Sequence, residues 1–209
     1  RKNLTDITMV IDRSGSMAAI RTDAEGGINS FIEQQKQESG EALLTLVQFN
    51  AQYEFVHSGI PMSQVPVYKL EPSGSTALLD AAGRAINETG ARLAAMDESQ
   101  RPGLVVVVIV TDGHENASRE INRAQIRQMI EHQQSVYRWQ FTFLAANQDA
   151  FAEGESLGIA ADGIAQFTAG KVLGTYDVAA KKLSRMRKAA SAGGTIDNRL
   201  TDAERQSIE

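Results

Sequence analysis

The sequence predicts an α/β fold with a doubly wound, mostly parallel central sheet of about six strands, one antiparallel hairpin strand and helices on both faces. Short apolar runs alternate with longer segments in which apolar residues recur at helical spacing. Residues 104–110 are all Leu, Val or Ile, which is typical of a strand covered on both faces. The strand-like segments 42–49 and 53–57 are separated by only three residues. That connection is too short for a parallel crossover and indicates a hairpin.

Besides the hairpin, the first half of the chain contains a strand, a helix and an irregular segment. Residues 7–11 predict a buried strand, because a run of branched apolar side chains stops at Asp12. Residues 18–37 predict a helix, because apolar side chains recur there at helical spacing until Gly40. Prolines keep the segment that ends at Ser75 irregular.

The second half of the chain continues the alternation of helices and strands. Residues 77–96 and 118–134 predict helices, and Ser118 is the expected N-cap of the second one. A strand, a short helix, a short strand and a long final helix follow at 139–146, 149–157, 164–167 and 171–190.

The length of 209 residues suits one α/β domain better than two. We expect this domain to cover residues 1–192, including the final long helix, and a polar tail to occupy residues 193–209. Thr201 and Glu204 form a capping-box pattern that predicts a short helix in the tail. The tail is expected either to fray or to dock on another surface.

Composition excludes several classes of function. The net charge of −5 argues against nucleic-acid and anionic-membrane partners, which require a positive field. Because the chain has no Cys, it forms neither disulfides nor thiolate metal sites, and we expect a cytoplasmic location. No run of 18 apolar residues is present, and the segment from Arg1 resembles no signal peptide. Since the chain does not begin with Met, we expect a processed or trimmed protein; the oligomeric state stays open.

Oxygen-bearing side chains are concentrated in the segments 12–16, 73–76 and 111–113. Ligands of open α/β sheets bind at the carboxyl ends of the strands, so we expect these three loops to meet there. The candidate metal ligands that they carry are Asp12, Ser14, Ser16, Thr76 and Asp112. If the first loop is extended, its alternating side chains point the same way.

Three hydroxyls and two carboxylates suit a hard divalent cation. Mg²⁺ prefers oxygen ligands in octahedral geometry, and Mn²⁺ or Ca²⁺ are the alternatives. At most five of the six octahedral positions are supplied by the protein, so a sixth stays open to a carboxylate from a partner. Because most of these ligands are neutral, the bound cation would stay electrophilic.

The pattern Asp12-x-Ser14-x-Ser16, with Thr76 in a Gly-Ser-Thr turn and Asp112 in Thr-Asp-Gly, resembles the metal ion-dependent adhesion site of von Willebrand factor A domains. The resemblance covers roughly residues 6–170. It implies that Ser14, Ser16 and Thr76 contact the metal directly, and that the two Asp side chains bind it directly or through water. The chain is more similar to intracellular prokaryotic and phage members than to extracellular adhesion domains.

We therefore expect a divalent-cation-dependent module that binds a carboxylate of a protein partner and is not an enzyme. The expected rim of the binding site consists of Arg13, Met17, Ala18, the loop before Thr76 and residues 114–117, which include His114. The alternative is a metal-dependent phosphotransferase that uses Asp12. Such an enzyme would need an acid/base group two residues later, where this chain has Ser14.

Two other patterns are given structural interpretations. Residues 154–158 spell G-x-S-x-G, but every His precedes them in the chain and the segment before them is helical, so a hydrolase nucleophile elbow is rejected. The basic run 181–188 is interpreted as the solvated face of the final helix, because Leu183 and Met186 recur at helical spacing.

Overall fold

The computed structural model describes residues 1–146 and 149–208, without the side chain of Ala169. Glu209, the end of the predicted tail, lies outside the described residues. The strands are β1 (Leu4–Asp12), β2 (Glu41–Phe49), β3 (Tyr53–Pro61), β4 (Leu104–Thr111), β5 (Gln140–Ala145) and β6 (Ile164–Gln166). The helices are α1 (Arg21–Gln37), α2 (Leu78–Ala94), α3 (Arg123–Tyr137), α4 (Ala150–Ser156), α5 (Val172–Ala192) and α6 (Asp202–Ile208).

The six strands form one sheet in the order β3-β2-β1-β4-β5-β6. Every neighbouring pair is parallel except β2 and β3, which form the predicted antiparallel hairpin. The predicted fold class is therefore confirmed. The chain passes from β1 to β2 on one side and later to β4 on the other, so the strand order reverses at β1. In open α/β sheets, the ligand-binding crevice lies at this reversal, beyond the carboxyl ends of the strands.

Helices cover both faces of the sheet, because the central strands carry apolar side chains on both faces. On β4, Val106, Val108 and Val110 pack with residues of α1 and α5. The intervening residues Val105, Val107 and Ile109 pack with residues of α2, α3 and α4. Among the described residues, no helix has the length and apolar character needed to cross a membrane.

The start of α3 differs from its prediction. The helix begins at Arg123, and its N-cap is Asn122, whose side chain forms a reciprocal capping box with Gln125. Ser118 was therefore the wrong N-cap. Its hydroxyl accepts a hydrogen bond from the backbone N–H of Asp80 and donates one to Glu115, so it is committed to a loop contact with α2.

The interpretation of the basic run on α5 was wrong for two of its members. Lys182 and Arg187 are buried, with 1% and 3% of their surface exposed. The Lys182 amine donates a hydrogen bond to the Thr142 hydroxyl of β5 at 3.0 Å. The Arg187 guanidinium donates to the backbone oxygens of Gln35 and Gly40, near the carboxyl end of α1.

Residues 193–208 pack against the domain. The capping box predicted for the tail is present, since the Thr201 hydroxyl accepts from the Glu204 N–H and the Glu204 carboxylate accepts from the Thr201 N–H. Leu200 and Ile208 are buried in the same core cluster as residues of α5, and Glu204 forms an ion pair with Arg185. The tail therefore docks on α5.

Candidate metal site

Asp12 ends β1 and is fully buried. Its Oδ1 accepts the Ser14 N–H at 2.7 Å, and its Oδ2 accepts the Thr111 hydroxyl at 2.6 Å. Burial raises the pKa of Asp12 above its ordinary value, although these hydrogen bonds act to lower it. Both carboxylate oxygens are thus fixed in orientation at the carboxyl end of the central strand.

The two serines connect Asp12 to the loop after β4. The Oγ atoms of Ser14 and Ser16 lie 3.1 Å apart, and the Ser16 hydroxyl donates to Oδ1 of Asp112 at 2.6 Å. The predicted extended loop ends at Ser14, because Gly15–Ile20 forms a 3-10 helix. The hydroxyls still meet, because the turn brings Ser16 back toward the β4 loop.

The surroundings of Gly113 show that the three loops converge. A Cβ atom built on Gly113 would lie 3.3 Å from Oγ1 of Thr76, 3.5 Å from Oγ of Ser16 and 3.8 Å from Oδ2 of Asp12. Asp112 is adjacent in sequence and is hydrogen-bonded to Ser16. The five predicted ligands are therefore gathered at one place, although their positions in the chain span 100 residues.

The two carboxylates of this cluster have no cationic partner among residues 1–146 and 149–208. Asp6, another buried acid on β1, is paired with Arg92 through two hydrogen bonds of 2.8 and 2.9 Å. Burial raises the pKa of Asp112, and the nearby Asp12 raises it further. A site with two desolvated acids and no basic side chain suits a bound cation.

The donor set also indicates the kind of cation. In the described part of the chain, no three His, Cys, Asp or Glu side chains form a metal-binding group. A cation at this site would therefore depend on the hydroxyls of Ser14, Ser16 and Thr76 in addition to the two carboxylates. Such an oxygen-only set fits Mg²⁺, Mn²⁺ or Ca²⁺ better than zinc sites built from His and Cys.

Backbone hydrogen bonds join the first loop to the loop before α2. The Gly15 N–H donates to the Gly74 carbonyl at 2.9 Å, and the Ser73 N–H donates to the Arg13 carbonyl at 2.7 Å. The register between the serines and Thr76 is thereby fixed by the main chain.

A second set of bonds joins Thr76 to the loop after β4. The Thr76 N–H donates to Oδ1 of Asn116 at 2.9 Å, and the Thr76 carbonyl accepts the N–H groups of Asn116 and Ala117 at 3.0 and 3.2 Å. The Glu115 carboxylate accepts the N–H groups of Leu79 and Ala117 at 3.0 and 2.9 Å. These contacts hold the start of α2 against the segment that follows Asp112.

The residues expected at the rim of the binding site differ in their exposure to solvent. His114 and Ala18 are exposed, while Arg13 is partly buried and lies 3.8 Å from Glu54. Met17 is only 1% exposed and belongs to the core cluster that contains Ile28. Its assignment to the rim was wrong, because the 3-10 turn directs this side chain into the core.

Three structural contributors to the site were missed in the sequence. Thr111 holds one oxygen of Asp12, and Glu115 holds the loop beside Thr76. Asp80 accepts the N–H groups of Arg119, Glu120 and Ile121 at 2.8 to 3.0 Å. Thr111 could have been found from its place beside Asp112. The contacts that join these two acids to other segments gave no local signal, because Leu79 lies 36 residues from Glu115 and the partners of Asp80 lie 39 to 41 residues away.

The G-x-S-x-G segment takes the predicted non-catalytic form. Ser156 ends α4, and its hydroxyl donates to the Glu153 carbonyl at 2.7 Å. Gly158 follows with φ of 84°, a left-handed conformation typical of residues that terminate helices. No strand leads directly into Ser156, as a nucleophile elbow would require.

No protein-family model and no curated protein matches the chain. Among solved structures, proximal thread matrix protein 1 from the mussel byssus, determined with a zinc-occupied MIDAS motif, is similar with a TM-score of 0.60 and 11% identity over 88% of this chain and 48% of that chain. A von Willebrand factor type A protein from Catenulispora acidiphila is similar with a TM-score of 0.56 and 15% identity over 88% and 42%.

A third solved structure, the ArnB paralog VWA2 from Sulfolobus acidocaldarius, is similar with a TM-score of 0.52 and 16% identity, covering 83% of this chain and 44% of that one. Because these sequence identities are low, the three similarities support the fold of this chain alone. The chain spans less than half the length of each of the three proteins.

Proposed function

Starting from a domain with the von Willebrand factor A-type fold, we propose that this chain is a divalent-cation-dependent module that binds an acidic group of a protein partner. The observation that carries the proposal is the convergence of Ser16, Thr76 and Asp12 around Gly113, with Asp112 hydrogen-bonded to Ser16. The mussel protein, which has a similar fold, was determined with a zinc-occupied MIDAS motif, and this supports a cation site in the present chain.

The ligands in this proposal are the five residues of the cluster. The hydroxyls of Ser14, Ser16 and Thr76 bind the cation directly, and Asp12 and Asp112 bind it directly or through water. Asp12, Ser14 and Thr76 are buried, and hydrogen bonds orient Asp12 and join Ser16 to Asp112, which preorganises the cluster for this role. Mg²⁺ is the proposed cation, with Mn²⁺ or Ca²⁺ as alternatives, because all five donors are oxygens.

The partner in this proposal completes the cation shell. Five protein ligands leave one octahedral position, which a side-chain carboxylate fills. The exposed His114 and Ala18 and the partly buried Arg13 lie in the loops around the cluster, where they contact the partner. The negative net charge of −5 favours neither nucleic acid nor an anionic membrane as the partner.

Binding without catalysis is part of the same proposal. A phosphotransferase that uses Asp12 would need a proton donor for the leaving group, and the residue two positions on is Ser14. Both oxygens of Asp12 accept hydrogen bonds, which suits a fixed ligand. Turnover of a generic phosphoester that is lost in Asp12→Asn would instead support the enzyme.

Thermal unfolding tests the cation site. Mg²⁺ is expected to raise Tm by mass action, with about 2.7 kcal/mol of stabilisation at a concentration a hundredfold above Kd. Asp12→Ala should abolish this rise. Asp97→Ala is the matched control, because Asp97 is exposed and caps no helix with its side chain. Unchanged melting curves of the wild type in millimolar Mg²⁺ and Mn²⁺ would contradict the proposal.

Paramagnetic broadening tests the carboxylate partner. With Mn²⁺ bound to the protein, a Gly/Ser peptide with one Asp should show broadened Asp side-chain proton resonances, because its carboxylate binds the paramagnetic ion. The same peptide with Asn should not, and Asp12→Ala should remove the effect. Equal broadening of the Asp and Asn peptides would argue against carboxylate recognition.

A further inference from the structure

A polar groove opens beside the candidate metal site. Its volume is about 530 Å³. One wall consists of Ala51 and Gln52, in the turn between β2 and β3, and the other consists of residues 116–119. Ser75 also contributes to the lining. The groove therefore lies between two of the surface loops that surround the carboxyl end of the sheet.

The groove lies next to the cluster of candidate ligands. Ser75 directly precedes Thr76, whose hydroxyl is one of the converging oxygens. The carbonyl of Thr76 accepts the N–H groups of Asn116 and Ala117, so the far wall of the groove, residues 116–119, is hydrogen-bonded to the same residue. A partner segment whose carboxylate reaches the cluster would therefore lie close to the groove.

The far wall is held in place although it contains no helix or strand. Glu115 accepts the N–H groups of Ala117 and Ser118 at 2.9 and 2.7 Å, and Asp80 accepts the N–H of Arg119 at 2.8 Å. These two acids anchor the backbone to α2 and to the loop itself. The groove is therefore preformed, which lowers the entropic cost of binding.

The charge of the groove is concentrated on Arg119. In the parts of the chain that the structure describes, its guanidinium makes neither a hydrogen bond nor an ion pair, and the residue is exposed. The nearby acids are already engaged, since Glu120 is paired with Arg84 at 2.8 Å and Glu115 accepts backbone N–H groups. The groove thus presents an unneutralised positive charge among polar side chains.

We propose that this groove binds a second carboxylate of the same partner segment, on Arg119, while the first carboxylate completes the metal shell. The proposal rests on the proposed function, because it requires the cation at the neighbouring cluster. Its occupant is an extended peptide with two acidic side chains at a defined spacing. Arg119 forms a charge-assisted hydrogen bond with the second of them, since guanidinium and carboxylate geometries match.

The test measures the affinity of defined peptides for the full chain in Mg²⁺. Gly/Ser peptides of one length contain either a single Asp or two Asp residues at varied spacing. For the wild type, one spacing should bind about tenfold more tightly than the single-Asp peptide. This gain exceeds the factor of about two that two equivalent Asp residues give statistically.

The variant Arg119→Gln should lose this spacing-dependent gain and keep both the affinity for the single-Asp peptide and the Mg²⁺-induced rise in Tm. Arg127→Gln is the matched control. It removes the same charge from the exposed face of α3, where Arg127 pairs with Glu131 outside the groove, and should retain the gain.

Three outcomes overturn the inference. The first is a gain in the wild type that is no larger than the statistical factor, and the second is an undiminished gain in Arg119→Gln. In both cases the proposed function stands if the single-Asp peptide binds in Mg²⁺ and not in a chelator. Absence of both the Mg²⁺-induced rise in Tm and Mn²⁺ broadening of the single-Asp peptide overturns the proposed function together with this inference.

Discussion

The Ser16 hydroxyl donates a 2.6 Å hydrogen bond to Oδ1 of Asp112, a residue 96 positions away in the chain. Ser16 is exposed and Asp112 is half-buried, so this bond spans the entrance of the cluster. Burial raises the pKa of Asp112, and the charge of the fully buried Asp12 raises it further. An acid whose pKa is raised in this way responds both to pH and to any bound cation.

The first prediction concerns the pH dependence of cation binding. Burial raises the pKa values of Asp12 and Asp112, so protons compete with Mg²⁺ at higher pH than at exposed carboxylates. The Mg²⁺-induced rise in Tm should therefore be larger at about pH 7.5 than at about pH 5. Differential scanning calorimetry at both pH values, with and without Mg²⁺, measures this difference.

The same raised pKa values determine how the stability of the metal-free protein changes with pH. A folded-state pKa above the unfolded value means that the folded state binds more protons between the two values, so stability decreases as pH rises through this window. Asp112→Asn should reduce this dependence and weaken Mg²⁺ binding. A Mg²⁺ effect of equal size at both pH values would contradict raised carboxyl pKa values.

The second prediction concerns the space beside Gly113. In Gly113→Ala, the new methyl group would lie 3.3 Å from Oγ1 of Thr76 and 3.5 Å from Oγ of Ser16. It would crowd the Thr76 hydroxyl and lower the affinity for Mg²⁺ by up to about tenfold, with a loss of metal-free stability of about 1 kcal/mol or less. Isothermal titration calorimetry with Mg²⁺ measures the affinity.

Gly174→Ala is the matched control for this variant. A Cβ at Gly174 of α5 meets no atom within 4 Å, so the substitution should leave Mg²⁺ affinity unchanged and stabilise the helix by roughly 0.5–1 kcal/mol. Unaltered Mg²⁺ affinity in Gly113→Ala would argue against cation binding by the Thr76 hydroxyl.

The third prediction concerns the buried amine of Lys182. Burial and the neighbouring Arg185 together lower its pKa to about 7, while Glu204 acts in the opposite direction. Between this value and the ordinary 10.5, the unfolded chain binds more protons than the folded one. Stability should therefore rise with pH across this window, and the burial penalty should be complete below about pH 7.

Lys182→Met should remove this dependence, because Met has a similar length and no charge. The variant should be more stable than the wild type by about 1–3 kcal/mol near pH 7, with a difference that shrinks toward pH 10. Urea unfolding near pH 7 and near pH 10 measures this difference in the free energy of unfolding. Lys181→Met is the control, since Lys181 is exposed and pairs with Asp177. A constant difference between wild type and Lys182→Met would contradict a lowered lysine pKa.

Most of the fold was predictable because its signals are local. The strand at residues 104–110 could be identified from its apolar composition, and the structure assigns it to Leu104–Thr111. The hairpin followed from a connection too short for any alternative. The candidate ligands were also accessible, because Asp12 and Asp112 follow strands whose carboxyl ends lie at the same edge of a parallel sheet.

The errors arose where long-range contacts override local patterns. Ser118 has the chemistry of an N-cap, but its hydroxyl is bonded to Asp80 and Glu115, and Asn122 caps α3 instead. Lys182 lies on a helix that is covered by more than one neighbour, so periodicity along α5 did not show which charges face solvent. Such contacts depend on how elements pack, which a single sequence does not display.

The course of β1 has a practical consequence for binding measurements. The strand runs from Leu4 to Asp12, and at about 3.3 Å per residue its ends are roughly 26 Å apart. Arg1 lies at the opposite end from Asp12, held by a 2.9 Å bond from the Gly103 N–H to its carbonyl. Immobilising the protein on a sensor surface through the Arg1 end of this strand would therefore leave the oxygen-rich loops facing the flowing sample.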